Sequence, residues 1–210
     1  MMKTKALKPL SILLWLSALL WMVPARADAP VILILGDSLS AGYGIPIERG
    51  WVNLLQARLV ERGFPHRVVN ASISGDTTSG GLSRLPAALA RERPAIVVLE
   101  LGANDGLRGQ SPPTIRDNLA RLIELSQQAG ARVLLAEMRV PPNYGPSYTQ
   151  KFQAMFTELA QRYAIPLIPF LLAGVAGDPA LTLDDGLHPR AEGQQRILDN
   201  VWPTLEPVLR

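Results

Sequence analysis

Val31-Ile32-Leu33-Ile34-Leu35 runs without a polar side chain into Gly36-Asp37-Ser38-Leu39-Ser40-Ala41-Gly42-Tyr43-Gly44. A short, continuously apolar run that ends in a glycine-rich turn is what a parallel strand covered on both faces requires. Four similar runs follow, at 67–70, 96–101, 132–137 and 166–170. Between them lie segments with helical spacing, at 51–62, 82–91, 114–129, 148–163 and 191–208. In the fourth of these, Tyr148, Phe152, Met155, Phe156, Leu159 and Tyr163 recur on one face, the stripe of a helix packed against a core. The alternation predicts an α/β fold: a three-layer αβα sandwich around a five-stranded, parallel, doubly wound sheet of the flavodoxin-like kind. Ligands of such a sheet bind beyond the carboxyl ends of its strands. No linker or low-complexity segment interrupts the pattern, so residues 28–210 are read as one domain.

The first 27 residues read differently. Lys3, Lys5 and Lys8 precede an apolar run from Leu10 to Val23, relieved only by Ser11 and Ser17, and Pro24-Ala25-Arg26-Ala27 follows. This is the layout of a secretory signal, with cleavage expected after Ala27 and a periplasmic or secreted product. A membrane anchor fits less well, because that run makes a helix of roughly 21 Å against a hydrocarbon core of about 30 Å. The formal charge of +3 belongs to this segment, which holds four basic residues and no acid; residues 28–210 are close to neutral.

Composition removes several kinds of chemistry. The chain has no cysteine and two histidines, His66 and His188, far apart in sequence, so zinc-finger, CxxC and HExxH sites are impossible. No DxDxDG-like run is present, and no cofactor or metal is expected. Beyond residue 27 the chain has a single lysine, Lys151, and its arginines are scattered among acids, a poor match for nucleic acid. Phosphate and dinucleotide loops also fail, since no glycine precedes Lys151 and Ile47 stands where a third glycine would be needed.

What remains is concentrated in four loops expected at one edge of the sheet: 36–44, 71–78, 102–106 and 184–189. Ser38 follows the first strand, where an exposed hydroxyl is a candidate nucleophile and its own amide can face a developing oxyanion. The same placement suits a serine that merely caps a helix, and the GxSxG elbow is not met because Ser40 stands at the second glycine. Asp185 lies three residues before His188 with Gly186 between, a spacing that can fold a carboxylate onto an imidazole or simply cap a turn. His66, on a strand-entry connection, reads as an ordinary surface histidine. Asp37, Asp76 and Asp105 read as residues that fix loop geometry.

Taken together and in order, GDSLSAGYG (36–44), the lone Gly75, GAND (102–105) and DGLH (185–188) resemble the four blocks of the SGNH, or GDSL, hydrolase family. The resemblance spans almost all of residues 28–210 and is greatest to the small secreted multifunctional esterases with thioesterase, lysophospholipase and arylesterase activity. It implies Ser38 as nucleophile, a triad in which Asp185 orients His188, and an oxyanion hole formed by the Ser38 and Gly75 amides with the Asn104 side chain. It further implies hydrolysis of esters and thioesters of lipophilic acyl groups.

Substrate preference is less legible. The proline- and tyrosine-containing loop 138–148, with Met138 and Tyr144 as candidate substrate contacts, either walls an apolar acyl groove or is only a rigid connection. Small-molecule acyl esters or thioesters are the expected partners, with transient contact to membrane lipid and a monomeric protein. A carbohydrate O-deacetylase and a non-catalytic, flavodoxin-like binding module remain as alternatives.

Overall fold

The structure, a computed structural model, describes residues 29–210; the expected export signal over residues 1–27 lies outside the described residues. Five strands, β1 (Val31–Gly36), β2 (Arg67–Asn70), β3 (Ile96–Glu100), β4 (Arg132–Ala136) and β5 (Leu167–Ile168), form one sheet in the order β2-β1-β3-β4-β5. Every pairing is parallel. β1 and β3 are buried along their whole length, as two covered faces demand, whereas β2 is a short, half-exposed edge. β5 has only two residues, because Pro166 and Pro169 flank it and neither can donate to a ladder.

Among the described residues, seven α-helices surround the sheet: α1 (Ser38–Ala41), α2 (Trp51–Glu61), α3 (Thr78–Glu92), α4 (Ala103–Leu107), α5 (Pro112–Gln128), α6 (Pro146–Tyr163) and α7 (Gln194–Leu205). α3, α5 and α6 pack side by side in one layer, and α2 and α7 form the other. The aromatic stripe of α6 is core as its spacing implies, with Phe152 and Phe156 fully buried edge to face. Three helices start earlier than their apolar periodicity suggests, for a local reason. The Thr77 hydroxyl accepts from Gly80 N and the Ser111 hydroxyl from Thr114 N, while Pro112 and Pro146 open α5 and α6. Caps and N1 prolines, more than the apolar repeat, set these boundaries.

His66 corrects an expectation. It is 6% exposed, lies edge-on to Phe64, which itself packs on Trp202 of α7, and its Nδ1 has no hydrogen-bond partner among the described residues. The imidazole behaves as part of the core, and burial, assisted by the charge of Arg132, lowers its pKa.

Candidate active site

The sheet order reverses direction between β1 and β3, and the loops after these two strands diverge there to leave a crevice. Ser38 follows β1 and Asn104 follows β3, so one side of the crevice carries the hydroxyl and the other the carboxamide. Ser38 is the first residue of α1, where its amide has no intrahelical acceptor. The turn is held by Asp37, whose Oδ1 accepts the Leu39 N–H at 3.0 Å and whose Oδ2 accepts Asn104 Nδ2–H at 2.9 Å. Asp37, 1% exposed, therefore joins the two loops at the inner lining of the cavity. Burial pushes its carboxyl up to about 6, against the pull of the Leu39 amide, Glu100, His188 and Asn104.

His188 arrives from the connection between β5 and α7. Its Nε2 stands 2.9 Å from Ser38 Oγ, in position to accept the hydroxyl proton, and its Nδ1–H donates to Asp185 Oδ2 at 2.7 Å. The other oxygen of Asp185 accepts the backbone N–H groups of Leu187 and His188, each at 2.9 Å. Desolvation alone would raise the Asp185 carboxyl. The His188 backbone and ring N–H groups and the Leu187 amide outweigh it and hold the group at about 2. An ionised, doubly braced carboxylate thus fixes the tautomer that leaves Nε2 free as a base. The Tyr43 ring, 4.5 Å from the imidazole centroid, covers one face of His188.

Gly75 and Gly102 are the two glycines whose conformation matters most here, with φ of 79° and 114° that a side chain would resist. Gly102 turns the chain out of β3 into α4, whose next residues present Asn104. The loop bearing Gly75 is tied down from both sides. Arg84 donates to Asp76 Oδ2, to the Gly36 carbonyl and to the Ala71 carbonyl, and Arg108, at the end of α4, donates to the Gly75 carbonyl at 2.9 Å. Asp105 is buried and accepts the amide and hydroxyl of Thr78, which locks α4 to the start of α3. Asp37, Asp76 and Asp105 all act on loop geometry.

A cavity of about 90 Å³ opens beside Ser38, and its lining includes Asn104, Leu107, Met138, Arg139, Phe170 and His188. Met138 lies in this wall. Tyr144 does not: its hydroxyl donates to the Leu107 carbonyl at 2.6 Å and its ring lies against Tyr148, so it buttresses the wall from behind. Arg139 stacks its guanidinium over the Phe170 ring at 4.6 Å and pairs with Glu137 at 2.9 Å. Phe170 and Leu172 follow the fifth strand, and the rule that ligands sit beyond carboxyl ends would have pointed to them as well as to the four polar loops.

The chain is similar to known proteins over most of its length. Residues 34–196 match the model of the GDSL-like lipase/acylhydrolase family. The chain is 49% identical to the esterase TesA of Pseudomonas aeruginosa over 90% of its own length and 94% of that protein's. It is 42% identical to thioesterase 1/protease 1/lysophospholipase L1 of Escherichia coli K12, with 87% and 86% of the two chains covered. The crystal structure of the psychrotrophic esterase EstA from Pseudoalteromonas sp., inhibited by monoethylphosphonate, superposes with a TM-score of 0.82 at 42% identity, covering 85% of this chain and 98% of that one. With a family model spanning most of the chain and relatives matched over nearly their full lengths, the chain belongs to the GDSL-like lipase/acylhydrolase family.

Proposed function

We propose that the protein hydrolyses carboxylic esters and thioesters of lipophilic acyl groups through an acyl-enzyme on Ser38. The observation that carries this reading is the unbroken line from Ser38 Oγ through His188 to Asp185, opening onto an apolar cavity. Ser38 attacks the acyl carbonyl while His188 takes its proton, and Asp185 stabilises the imidazolium without itself being protonated. His188 then returns the proton to the departing alcohol or thiol. Water repeats the sequence on the acyl-enzyme, releasing the acid. The negative oxygen of each tetrahedral intermediate faces the amides of Ser38 and Gly75 and the Asn104 side chain; each such donor is typically worth about 3 kcal/mol in the transition state.

A cavity of about 90 Å³ accommodates the reacting carbonyl and the first methylenes of an acyl chain, leaving a longer chain to run out along the open side. Four of the exposed large apolar side chains, Tyr43, Ile47, Ile73 and Leu187, sit on the loops of this same edge. That apolar rim supports a substrate presented by a lipid surface, in transient contact with a monomeric enzyme. No helix among the described residues is long and apolar enough to cross a membrane. The basic, apolar and small-residue succession in residues 1–27 supports export, with residues 28–210 as a single catalytic domain working in the periplasm or outside the cell. A carbohydrate O-deacetylase would need several polar groups for sugar hydroxyls; apart from Asp37 and the catalytic and oxyanion residues, the wall carries Arg139 alone among Leu107, Met138, Pro141, Phe170 and Leu172, and that guanidinium is already stacked on Phe170 and paired with Glu137.

Fluorophosphonate treatment followed by peptide mass mapping tests the nucleophile. One adduct on Ser38 is expected, with none on Ser38→Ala; labelling elsewhere or not at all would sink the proposal. A panel of nitrophenyl esters and acyl thioesters should show medium-chain substrates cleaved faster than acetates, and strict preference for acetylated sugars would favour the deacetylase.

A further inference from the structure

Behind Ser38, on the side away from the cavity, lies a carboxyl group that the chemistry above does not use. Glu100 ends β3, is fully buried, and has no cation among its hydrogen-bonding partners. Arg84, whose guanidinium reaches the Gly36 carbonyl, is engaged with Asp76. Glu100 Oε2 accepts the Ser40 hydroxyl at 2.5 Å and the Asp37 backbone N–H at 3.2 Å. Its Oε1 is buried with no partner among the described residues. Room for the carboxyl comes from Gly36, where a Cβ would stand 2.5 Å from Oε2. Among the described residues the other acid at this point is Asp37, itself 1% exposed. Two buried carboxyls with no cation between them do not both ionise; they retain a proton. Desolvation first, and then the charge of Asp37, push Glu100 well above the usual carboxylate range. The proton therefore belongs to Glu100, and the negative charge to Asp37, where the Leu39 and Asn104 N–H groups use it.

We propose that Glu100 is a positioning residue for the nucleophile, a neutral carboxylic acid whose Oε2 pins the Asp37 amide and the Ser40 hydroxyl and so fixes the turn that presents Ser38 Oγ to His188. The two pinned groups lie one residue before and two residues after Ser38, so losing them frees the turn on both sides. A displacement of about 1 Å at a reacting group can cost 10²-fold in rate. Substrate binding, set by the cavity wall, is left alone. The inference rests on Ser38 being the nucleophile, which the fluorophosphonate adduct of the wild-type protein decides separately.

The test compares Glu100→Gln, which keeps an acceptor oxygen and no charge, with Glu100→Leu, which removes both hydrogen bonds. Glu100→Gln should retain kcat within about threefold of wild type. Glu100→Leu should lose about 10- to 100-fold in kcat with KM changed by less than about twofold. Ser40→Ala, the milder lesion, should lose about three- to tenfold in kcat at constant KM, and should add nothing when combined with Glu100→Leu. A Glu100→Gln loss as deep as that of Glu100→Leu would show that an ionised carboxylate is required and overturn the proposal. Wild-type kcat in Glu100→Leu or in Ser40→Ala would do the same, and Ser40→Ala decides the matter if Glu100→Leu fails to fold.

Discussion

Replacing Asn104 with alanine removes two interactions whose consequences can be measured apart. The first is catalytic. One of three oxyanion donors disappears, which typically costs about 2.7–4 kcal/mol in the transition state, or 10²- to 10³-fold in kcat. The amides of Ser38 and Gly75 remain, so activity should fall without vanishing. The second is structural. Asp37 Oδ2 loses the N–H that Asn104 Nδ2 supplies at 2.9 Å, and at 1% exposure that oxygen has little access to water as a replacement. A hydrogen bond to a charged group is worth about 1.5–3 kcal/mol, and in a domain of this size each kcal/mol lowers Tm by about 2–4 °C, so Tm should drop by roughly 3 to 12 °C. Steady-state hydrolysis of a nitrophenyl ester and a thermal melt on the same preparation give both numbers. Asn104→Asp is the companion variant: it preserves shape but sets a second carboxylate against Asp37, so it should melt at least as low and be no more active. If Asn104→Ala retained kcat within about threefold while losing stability as expected, Asn104 would be a loop tie and not an oxyanion donor.

Three other outcomes are expected. Asp185→Asn should lower kcat with little change in KM; because the Asp185 side chain is 40% exposed and water can partly replace it, the loss should be about 10²- to 10³-fold, less than the 10⁴-fold known for a fully buried orienting aspartate. His66 holds fewer protons folded than unfolded, so the stability present above pH 6.5 should be lost progressively below it. Urea midpoints from pH 8 to pH 5 should fall more steeply for wild type than for His66→Phe, and parallel curves would contradict the buried, neutral imidazole. Phe156→Ala, which empties a fully buried site on α6, should cost about 3–5 kcal/mol in denaturant unfolding, and a cost under about 1 kcal/mol would mean the stripe is not core.

The layers of the fold were readable because parallel strands covered on both faces must be continuously apolar, and so are β1 and, apart from Glu100 at the end of one and Arg132 at the start of the other, β3 and β4. Neither α1 nor α4 was readable. Helices of four and five residues are too short to show a period, and what makes them is a capping carboxylate at Asp37 and a left-handed glycine at Gly102. The site residues carried a signal in their spacing and in the succession of four loops, and the structure brings Ser38, Asp185, His188 and Asn104 together. What the loops could not disclose was how they are held: Arg84 bridging Gly36, Ala71 and Asp76 joins positions separated by dozens of residues. Glu100 was hidden for the opposite reason. In Ile96-Val97-Val98-Leu99-Glu100 the acid reads as the polar end of a strand, yet it is as buried as the residues before it. The wall of the cavity was only half legible, since Met138 and Tyr144 share a loop but face different ways.

These supports divide the site into two unlike halves. The nucleophile and oxyanion half rests on buried groups: Asp37, Glu100, Ser40, Thr78 and Asp105 are all nearly inaccessible, and each is hydrogen-bonded to a neighbouring loop. Moving any of them would expose or strand a polar atom in the core, so this half is stiff by construction. The acid–base half is an exposed segment, 184–187, kept in shape by Asp185 accepting three N–H groups and by backbone pairing of Leu183 with His188 and of Arg190 with Leu181. That difference suits the division of labour. Stabilising an oxyanion depends on donors already in place when charge appears, because any reorganisation adds to the barrier. A general base must take a proton from Ser38 and later deliver it to a leaving group, and Asp185, by bracing both the backbone and the ring of His188, keeps Nε2 turned toward Ser38 for the two transfers.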